Sequence, residues 1–165
     1  DLQKESVRYI AKASDIGKPF FLYLPITAPH TPIAPERSFI GTSGLNVYAD
    51  FVKQVDDFVG SIQQSLKEHH LTENTILVFT SDNGCSPEAN FKFLKEWGHD
   101  PNNGYRGHKA DIFEAGHRVP LVVQWPKRIK QGRTVSQTVS LNDFMRSYPS
   151  SDLILKAKEL LAVLN

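Results

Sequence analysis

Four side chains that could bind a charged ester stand close to predicted strand ends. Two adjacent donors, an acid and an amide, follow the apolar run Ile76–Thr80 after a single serine. Carboxylate and amide oxygens are the ligands that hard cations such as Ca²⁺ and Mg²⁺ prefer. A cation acting together with a lysine and a histidine would neutralise a dianionic ester and its transition state. The four residues are His30, Asp82, Asn83 and Lys109.

Each of these residues also has an ordinary interpretation. Asp82 and Asn83 are common turn residues, so they could form no more than a polar turn. His30 lies in a proline-stiffened loop, where a histidine is often incidental. Lys109 belongs to a cationic segment that suits either solvent or an oxyanion such as sulfate or phosphate. The other cations of that segment are Arg106, His108, His117 and Arg118.

The hydrophobic pattern around these residues predicts an α/β fold. Asp1–Ser14 has helical periodicity, and Phe20–Ile26 is apolar nearly throughout, as expected of a central strand. Val47–His70 is predicted as a long amphipathic helix, and Ile76–Thr80 as a buried strand. Strand, helix and strand form a βαβ unit with parallel strands. We therefore expect the loops after the two strands to meet at one edge of the sheet.

Shorter elements are predicted in the remainder of the chain. Phe91–Trp97 is a short apolar segment, and Leu121–Trp125 is a further strand that Pro126 ends. Alternation favours another strand at Arg133–Ser140. Helix-start and helix patterns follow at Leu141–Met145 and Ser151–Leu164. The polar residues of the long helix are predicted to face solvent, and these are Asp50, Lys53, Asp57 and Gln63.

Composition limits the classes of function. The 165 residues are 40% hydrophobic and 22% charged, which is typical of a globular domain. A net charge of +1 with scattered cations gives no indication of nucleic acid binding, and no apolar run is long enough to span a membrane. The single cysteine, Cys85, excludes an internal disulfide and a cysteine-rich metal site. Because the sequence opens within a helix and without Met, we expect a fragment.

Three sequence blocks resemble the sulfatase family of the alkaline-phosphatase-like superfamily, in the family's order and approximate spacing. They are FFLYLPITAPHTP (Phe20–Pro32), NTILVFTSDNG (Asn74–Gly84) and YRGHKADIFEAGHRVPLVVQWP (Tyr105–Pro126). The resemblance implies a partial three-layer fold with a mostly parallel central sheet flanked by helices. Residues 1–145 would form part of a catalytic domain. Residues 146–165 would form a helical segment that departs from the family pattern.

The resemblance also implies a role for each candidate residue. Asp82 and Asn83 would be two ligands of Ca²⁺, with Mg²⁺ as an alternative. His30 would contact the sulfate or its ester oxygen and help to protonate the leaving group, and Lys109 would hold a sulfate oxygen. The substrate would be a small-molecule or glycan sulfate ester. The resemblance implies a periplasmic, secreted or lysosomal protein, and it leaves the oligomeric state unknown.

Two family features are missing from the sequence. One is an N-terminal pair of Asp residues, and the other is a Cys-x-Pro-Ser-Arg motif whose Cys or Ser becomes the formylglycine nucleophile. Cys85-Ser86-Pro87 matches only the start of that motif. We expect the formylglycine in an N-terminal part that this sequence does not contain, and negligible turnover by the 165 residues alone. Ala115 replaces a family Gly, which is tolerated unless the position needs a positive φ.

Two further functions stay open at this point. A phosphate-ester hydrolase of the same superfamily would share the metal geometry, although the blocks around His30 and Lys109 favour sulfate. A non-catalytic binding domain that retains the fold would explain the missing nucleophile motif.

Overall fold

Two packed helices form the centre of the molecule. In this computed structural model, which describes residues 2–140 and Asp143, helix α1 spans Leu2–Ile16 and helix α2 spans Val47–Glu68. Asn46 begins α2, because its side-chain oxygen accepts a hydrogen bond from the Ala49 amide at 3.0 Å. Both helices confirm the predictions made from periodicity.

The core lies between these helices and the segments that flank them. Ile10 of α1 packs with Ile62 and Leu66 of α2, and all three are at most 5% exposed. Such side chains each stabilise the fold by about 1.5–3 kcal/mol on burial. Further apolar side chains cover this cluster from the loops, α2 and the first strand, and they are Phe20, Leu22, Leu24, Phe58, Leu71 and Leu77.

Two strands pair in the described part of the chain. Strand β1 spans Leu77–Thr80 and strand β2 spans Leu121–Gln124, which confirms both predicted positions. They pair antiparallel, with Leu77 opposite Gln124 and Thr80 opposite Leu121. The parallel pairing predicted for a βαβ unit is not found within residues 2–140.

The predicted strand Phe20–Ile26 differs from the structure. The segment has the alternation of a strand, since Leu22 and Leu24 pack on the core while Phe21 and Tyr23 are 41% and 49% exposed. It joins no sheet in the described residues. A strand requires a neighbour that accepts and donates ladder hydrogen bonds, and the apolar pattern alone does not provide one.

The prediction of a strand at Arg133–Ser140 was wrong. This segment is irregular, and its apolar side chains Val135 and Val139 stay 56% and 51% exposed. Alternating apolar residues favour a strand only where one face of the segment packs against other side chains. The predicted helix over 151–164, the boundary at residue 146 and all of the helix start over 141–145 except Asp143 lie outside the described residues.

Two short helices complete the regular structure. Helix α3 spans Phe91–Glu96 and the single turn α4 spans Glu114–His117, with 3₁₀ turns at Thr72–Asn74 and Pro87–Ala89. Ala115 is buried within α4 and has no positive φ, so the methyl group fits. Within the described residues, none of the helices is long and apolar enough to cross a bilayer.

The expectation that Asp50 faces solvent was also wrong. Asp50 lies in the first turn of α2 and is only 3% exposed. Its carboxylate accepts hydrogen bonds from the backbone amides of Gly41 and Ser43, each at 2.8 Å. These bonds satisfy the buried charge and fasten the preceding loop to α2.

Candidate active site

The loop after β1 presents two oxygen donors. Asp82 is exposed and Asn83 is half-buried, and the Ser81 hydroxyl tightens the turn by donating to the Asn83 carbonyl at 2.9 Å. Among residues 2–140, no cation forms an ion pair with Asp82. An unpaired carboxylate beside an amide is the donor chemistry of a hard-cation site.

The cationic segment is hydrogen-bonded directly to this loop. The Gly84 amide donates to the Gly116 carbonyl at 2.9 Å, and the Lys109 amide donates to the Cys85 carbonyl at 2.9 Å. Gly84 needs to be glycine here, because a Cβ atom would lie 2.8 Å from the carbonyl carbon of Ala115. The structure therefore ties the segment of Lys109 to the residues that directly follow Asp82 and Asn83.

Structural contacts occupy most of the other cations. The Arg106 guanidinium lies 3.7 Å from the centre of the Phe113 ring. Arg118 forms an ion pair with Glu114 at 2.8 Å, which lowers the pKa of that carboxyl group. Lys109 is half-buried, and its ammonium forms neither an ion pair nor a ring contact with the described residues. It is therefore available to an anion.

His30 is exposed in the loop that follows the extended segment. Its Nδ1 lies 2.9 Å from the Thr31 carbonyl oxygen. A carbonyl can only accept, so Nδ1 carries the proton and Nε2 is the atom that can take up or release one.

Glu88 lies in the 3₁₀ turn that follows Cys85, and sequence reasoning missed its hydrogen-bonded carboxylate. The Ser86 hydroxyl donates to the Glu88 carboxylate and lowers its pKa, and the positive charges of Lys109 and His30 lower it further. No local motif distinguished Glu88 from an ordinary surface acid.

Cys85 is not arranged as a nucleophile. Its thiol is half-buried and donates to the Tyr48 hydroxyl at 3.3 Å. Burial raises the pKa of the Cys85 thiol and also that of Tyr48. Since the thiolate is the reactive form, burial makes this thiol less reactive than an exposed cysteine.

The metal site is partial in the described chain. Within residues 2–140, no cluster of three or more His, Cys, Asp or Glu side chains could hold a metal ion. Asp82 and Asn83 have the right chemistry for Ca²⁺, but that ion takes six to eight oxygen ligands.

Known proteins share this arrangement of segments. The sulfatase family model matches residues 1–148. The N-acetylgalactosamine-6-O-sulfatase of Bacteroides thetaiotaomicron is 40% identical over 119 residues, covering 70% of this chain and 23% of that protein. The N-acetylgalactosamine-6-sulfatase of Canis lupus familiaris is 33% identical over 166 residues, covering 96% of this chain and 31% of that protein.

A solved structure shows the same fold. The crystal structure of Ps i-CgsB in complex with k-i-k-neocarrahexaose superposes with a TM-score of 0.74 at 32% identity. The match covers 87% of this chain and 31% of that one. The chain thus spans less than a third of the length of each of these relatives. The family model and both relatives lead to one conclusion: the chain belongs to the sulfatase family.

Proposed function

We propose that the protein containing this chain hydrolyses sulfate esters and that this chain supplies one side of the active site. The observation that carries the proposal is the hydrogen bond between the Lys109 amide and the Cys85 carbonyl, which fixes a free cation beside the loop of Asp82 and Asn83. The names of the relatives support sulfate as the group that is removed. The same names favour sulfate over phosphate as the ester.

Asp82 and Asn83 would hold the metal ion, with Ca²⁺ preferred and Mg²⁺ as the alternative. Their oxygens are hard donors, and the Asp82 carboxylate is not consumed by an ion pair within residues 2–140. A bound cation would supply positive charge beside the ester oxygens. The other ligands would come from parts of the protein beyond the described residues.

Lys109 and His30 would act on the sulfate group itself. The Lys109 ammonium would bind a sulfate oxygen and stabilise the charge that develops in the transition state. His30 would donate a proton from Nε2 to the leaving-group oxygen, since Nδ1 is occupied by the Thr31 carbonyl. The nucleophile would be a formylglycine outside this chain, because Cys85 is a buried and hydrogen-bonded thiol.

In the whole protein, Phe20–Ile26 would be a strand of a mostly parallel, three-layer sheet. The alternating burial of this segment supports the assignment, since Leu22 and Leu24 already pack on the helices. Such a sheet would place His30 at the same edge as the loop after β1.

The substrate would be a glycan sulfate ester, with small-molecule sulfates as weaker substrates. Both relatives described above are named for N-acetylgalactosamine-6-sulfate. The compartment expected from the family resemblance is periplasmic, secreted or lysosomal.

Kinetics on the full-length protein test these roles. Lys109→Ala and His30→Ala should each lower kcat/KM for 6-sulfated N-acetylgalactosamine by at least about tenfold, because each removes charge stabilisation or proton transfer. Asp82→Ala should raise the Ca²⁺ concentration required for half-maximal activity, measured by titrating metal into chelator-treated enzyme.

Two substitutions at exposed positions provide matched controls. Lys92 lies on α3 and His117 at the end of α4, and both are exposed. Lys92→Ala and His117→Ala should retain wild-type kcat/KM. Wild-type activity in Lys109→Ala, or faster hydrolysis of phosphate esters than of sulfate esters, would overturn the proposed function.

A further inference from the structure

The Asn46 side chain makes two hydrogen bonds, one as an acceptor and one as a donor. Its side-chain oxygen caps α2 by accepting from the Ala49 amide at 3.0 Å. Its side-chain nitrogen donates to the Ala89 carbonyl at 2.9 Å, across 43 residues of sequence. Ala89 is fully buried, so this second bond is a tertiary contact in the interior. An N-cap requires only the first of these two bonds.

The segment that Asn46 holds leads directly to Lys109. The Ala89 amide bonds to the Ser86 carbonyl at 3.0 Å and closes the 3₁₀ turn, and the Cys85 carbonyl accepts from the Lys109 amide at 2.9 Å. Residues 85–89, which we call the site turn, therefore connect the N-terminal end of α2 to Lys109. They also carry Glu88, whose carboxylate accepts a hydrogen bond from the Ser86 hydroxyl.

A second residue at the same end of α2 contacts the other end of the site turn. The Tyr48 hydroxyl accepts from the Cys85 thiol at 3.3 Å. The first turn of α2 thus contacts the site turn at Cys85 and at Ala89. Two contacts fix both the position and the orientation of this short segment.

We propose that Asn46 is a positioning residue, which holds the site turn through Ala89 and so sets the place of Lys109 relative to Asp82 and Asn83. This inference rests on the proposed function for its catalytic consequence. Asn46 has no contact with the reacting groups and acts only through the backbone of Cys85. Displacements of about 1 Å in catalytic groups lower rates by about 100-fold, so a loosened site turn would be measurable.

Substitutions at Asn46 can separate the cap from the tertiary bond. An aspartate keeps an oxygen for the Ala49 amide and is favourable at a helix N-terminus, but it cannot donate to the Ala89 carbonyl. A serine also caps the helix, carries no charge and is too short to replace the donor. Asn46→Asp and Asn46→Ser should therefore leave the stability of α2 intact while releasing the site turn.

Asn90 offers the matched control. It begins α3, and its side-chain oxygen accepts from the Phe93 amide at 3.3 Å in the same capping role. Asn90→Asp makes the same chemical change one residue beyond the site turn. It leaves the bond from Asn46 to Ala89 untouched.

The kinetic experiment uses the full-length protein. Asn46→Asp and Asn46→Ser should lower kcat about tenfold with KM changed less than about threefold, whereas Asn90→Asp should match the wild type. In a Lys109→Ala background the Asn46 substitutions should have little further effect, because they act through Lys109. The proposal would be overturned if the Asn46 substitutions lowered kcat by about a further tenfold in the Lys109→Ala background. It would also be overturned if, in the wild-type background, they lowered the melting temperature without changing kcat.

Hydrogen exchange separates failure of this inference from failure of the proposed function. The Lys109 amide should exchange at least about tenfold faster in both Asn46 variants than in the wild type or Asn90→Asp, because its bond to Cys85 is loosened. This measurement does not need an active enzyme. If sulfate esters are not hydrolysed but the exchange rates change as stated, the proposed function fails and the positioning role stands. Unchanged protection of Lys109 in both variants overturns the positioning role.

Discussion

Lys109, Arg106 and Arg118 carry the same charge but have different surroundings. Arg106 stacks on Phe113, and Arg118 pairs with Glu114. The ammonium of Lys109 has no such partner within residues 2–140, while its backbone is hydrogen-bonded to the loop of Asp82. Whether a cation in this segment is structural or available is therefore decided by its contacts. Arg106 and Arg118 have side-chain partners within the segment, whereas Lys109 is held only through its backbone, by a separate loop.

Gly84 provides a test of how tightly the two loops of the site pack. Gly84→Ala would bring a methyl group within 2.8 Å of the Ala115 carbonyl carbon and strain the bond from Gly84 to Gly116. We expect a loss of about 1–3 kcal/mol in the free energy of unfolding, the usual cost of overpacking, together with at least about tenfold lower kcat. Denaturant unfolding and steady-state kinetics of the full-length protein measure both quantities.

Gly60 is the control for this substitution. It lies within α2, and a Cβ atom there would meet nothing within 4 Å. Gly60→Ala should increase the free energy of unfolding by about 0.5–1 kcal/mol, since alanine favours the helix. Equal stabilities for the two variants would show that the loops around Gly84 move apart easily.

At the scale of elements, the start of α2 organises the loop that precedes it. Asp50 binds the Gly41 and Ser43 amides, and the Lys53 ammonium donates to the Thr42 carbonyl at 2.7 Å. The hydrogen bonds from Ser43 and then from Gly41 hold the pKa of Asp50 below its ordinary value of 3.8. A carboxyl group with a lowered pKa stabilises the folded state above that ordinary value, and the contribution is lost as the pH falls towards the folded-state pKa.

Asp50→Asn should therefore change how stability depends on pH. The amide can accept only one of the two backbone hydrogen bonds well, so the melting temperature should fall by several degrees at pH 7. The difference from wild type should shrink as the pH falls below 3.8, because Asp50 then loses its charge in the wild type. Melting curves between pH 3 and 7 measure this. Asp56, an exposed acid on the same helix, supplies the control Asp56→Asn, and parallel curves for Asp50→Asn and wild type would contradict the prediction.

Local patterns were sufficient to predict α1, α2, β1 and β2, because each has its own apolar periodicity. They were insufficient where a distant partner decides the outcome. Phe20–Ile26 has a strand pattern but no ladder partner in the described chain, and β1 pairs antiparallel with β2. The burial of Asp50 could not be predicted, because its hydrogen-bond partners are the Gly41 and Ser43 amides of a loop whose path the local pattern does not reveal.

Some residues of the candidate site could likewise be predicted from local sequence, and others could not. The residues after β1 suggested Asp82 and Asn83, and the cationic segment suggested Lys109, but only the family resemblance favoured a site over an ordinary turn and a solvated loop. Their catalytic and metal-binding roles remain predictions. Asn46, Tyr48 and Glu88 could not be found from the sequence, because their importance comes from contacts such as Asn46 to Ala89 over 43 residues.

At the scale of the whole molecule, much apolar surface is left open. Strand β2 exposes Leu121, Val122 and Val123 by 42%, 58% and 39%, and Phe21 and Tyr23 are similarly open. Exposed edges and apolar strands favour association with other chains. The match covers 23% and 31% of the lengths of the two sulfatase relatives, so most of each relative lies outside the region that this chain matches.

Expressed alone, the 165 residues should therefore associate and should not turn over sulfate esters. Two oxygen donors bind Ca²⁺ weakly, and the Cys85 thiol is half-buried and hydrogen-bonded to Tyr48, so added Ca²⁺ should not produce activity. Light scattering and binding of an apolar dye would report the exposed strands. Val122→Lys, which places a charge on the most exposed apolar residue of β2, should reduce association without creating activity. A monodisperse, sulfate-hydrolysing chain would contradict both halves of the prediction. If Val122→Lys leaves association unchanged, the chains associate through another surface. Substitution of Phe21 and Tyr23 by lysine would then be the next test.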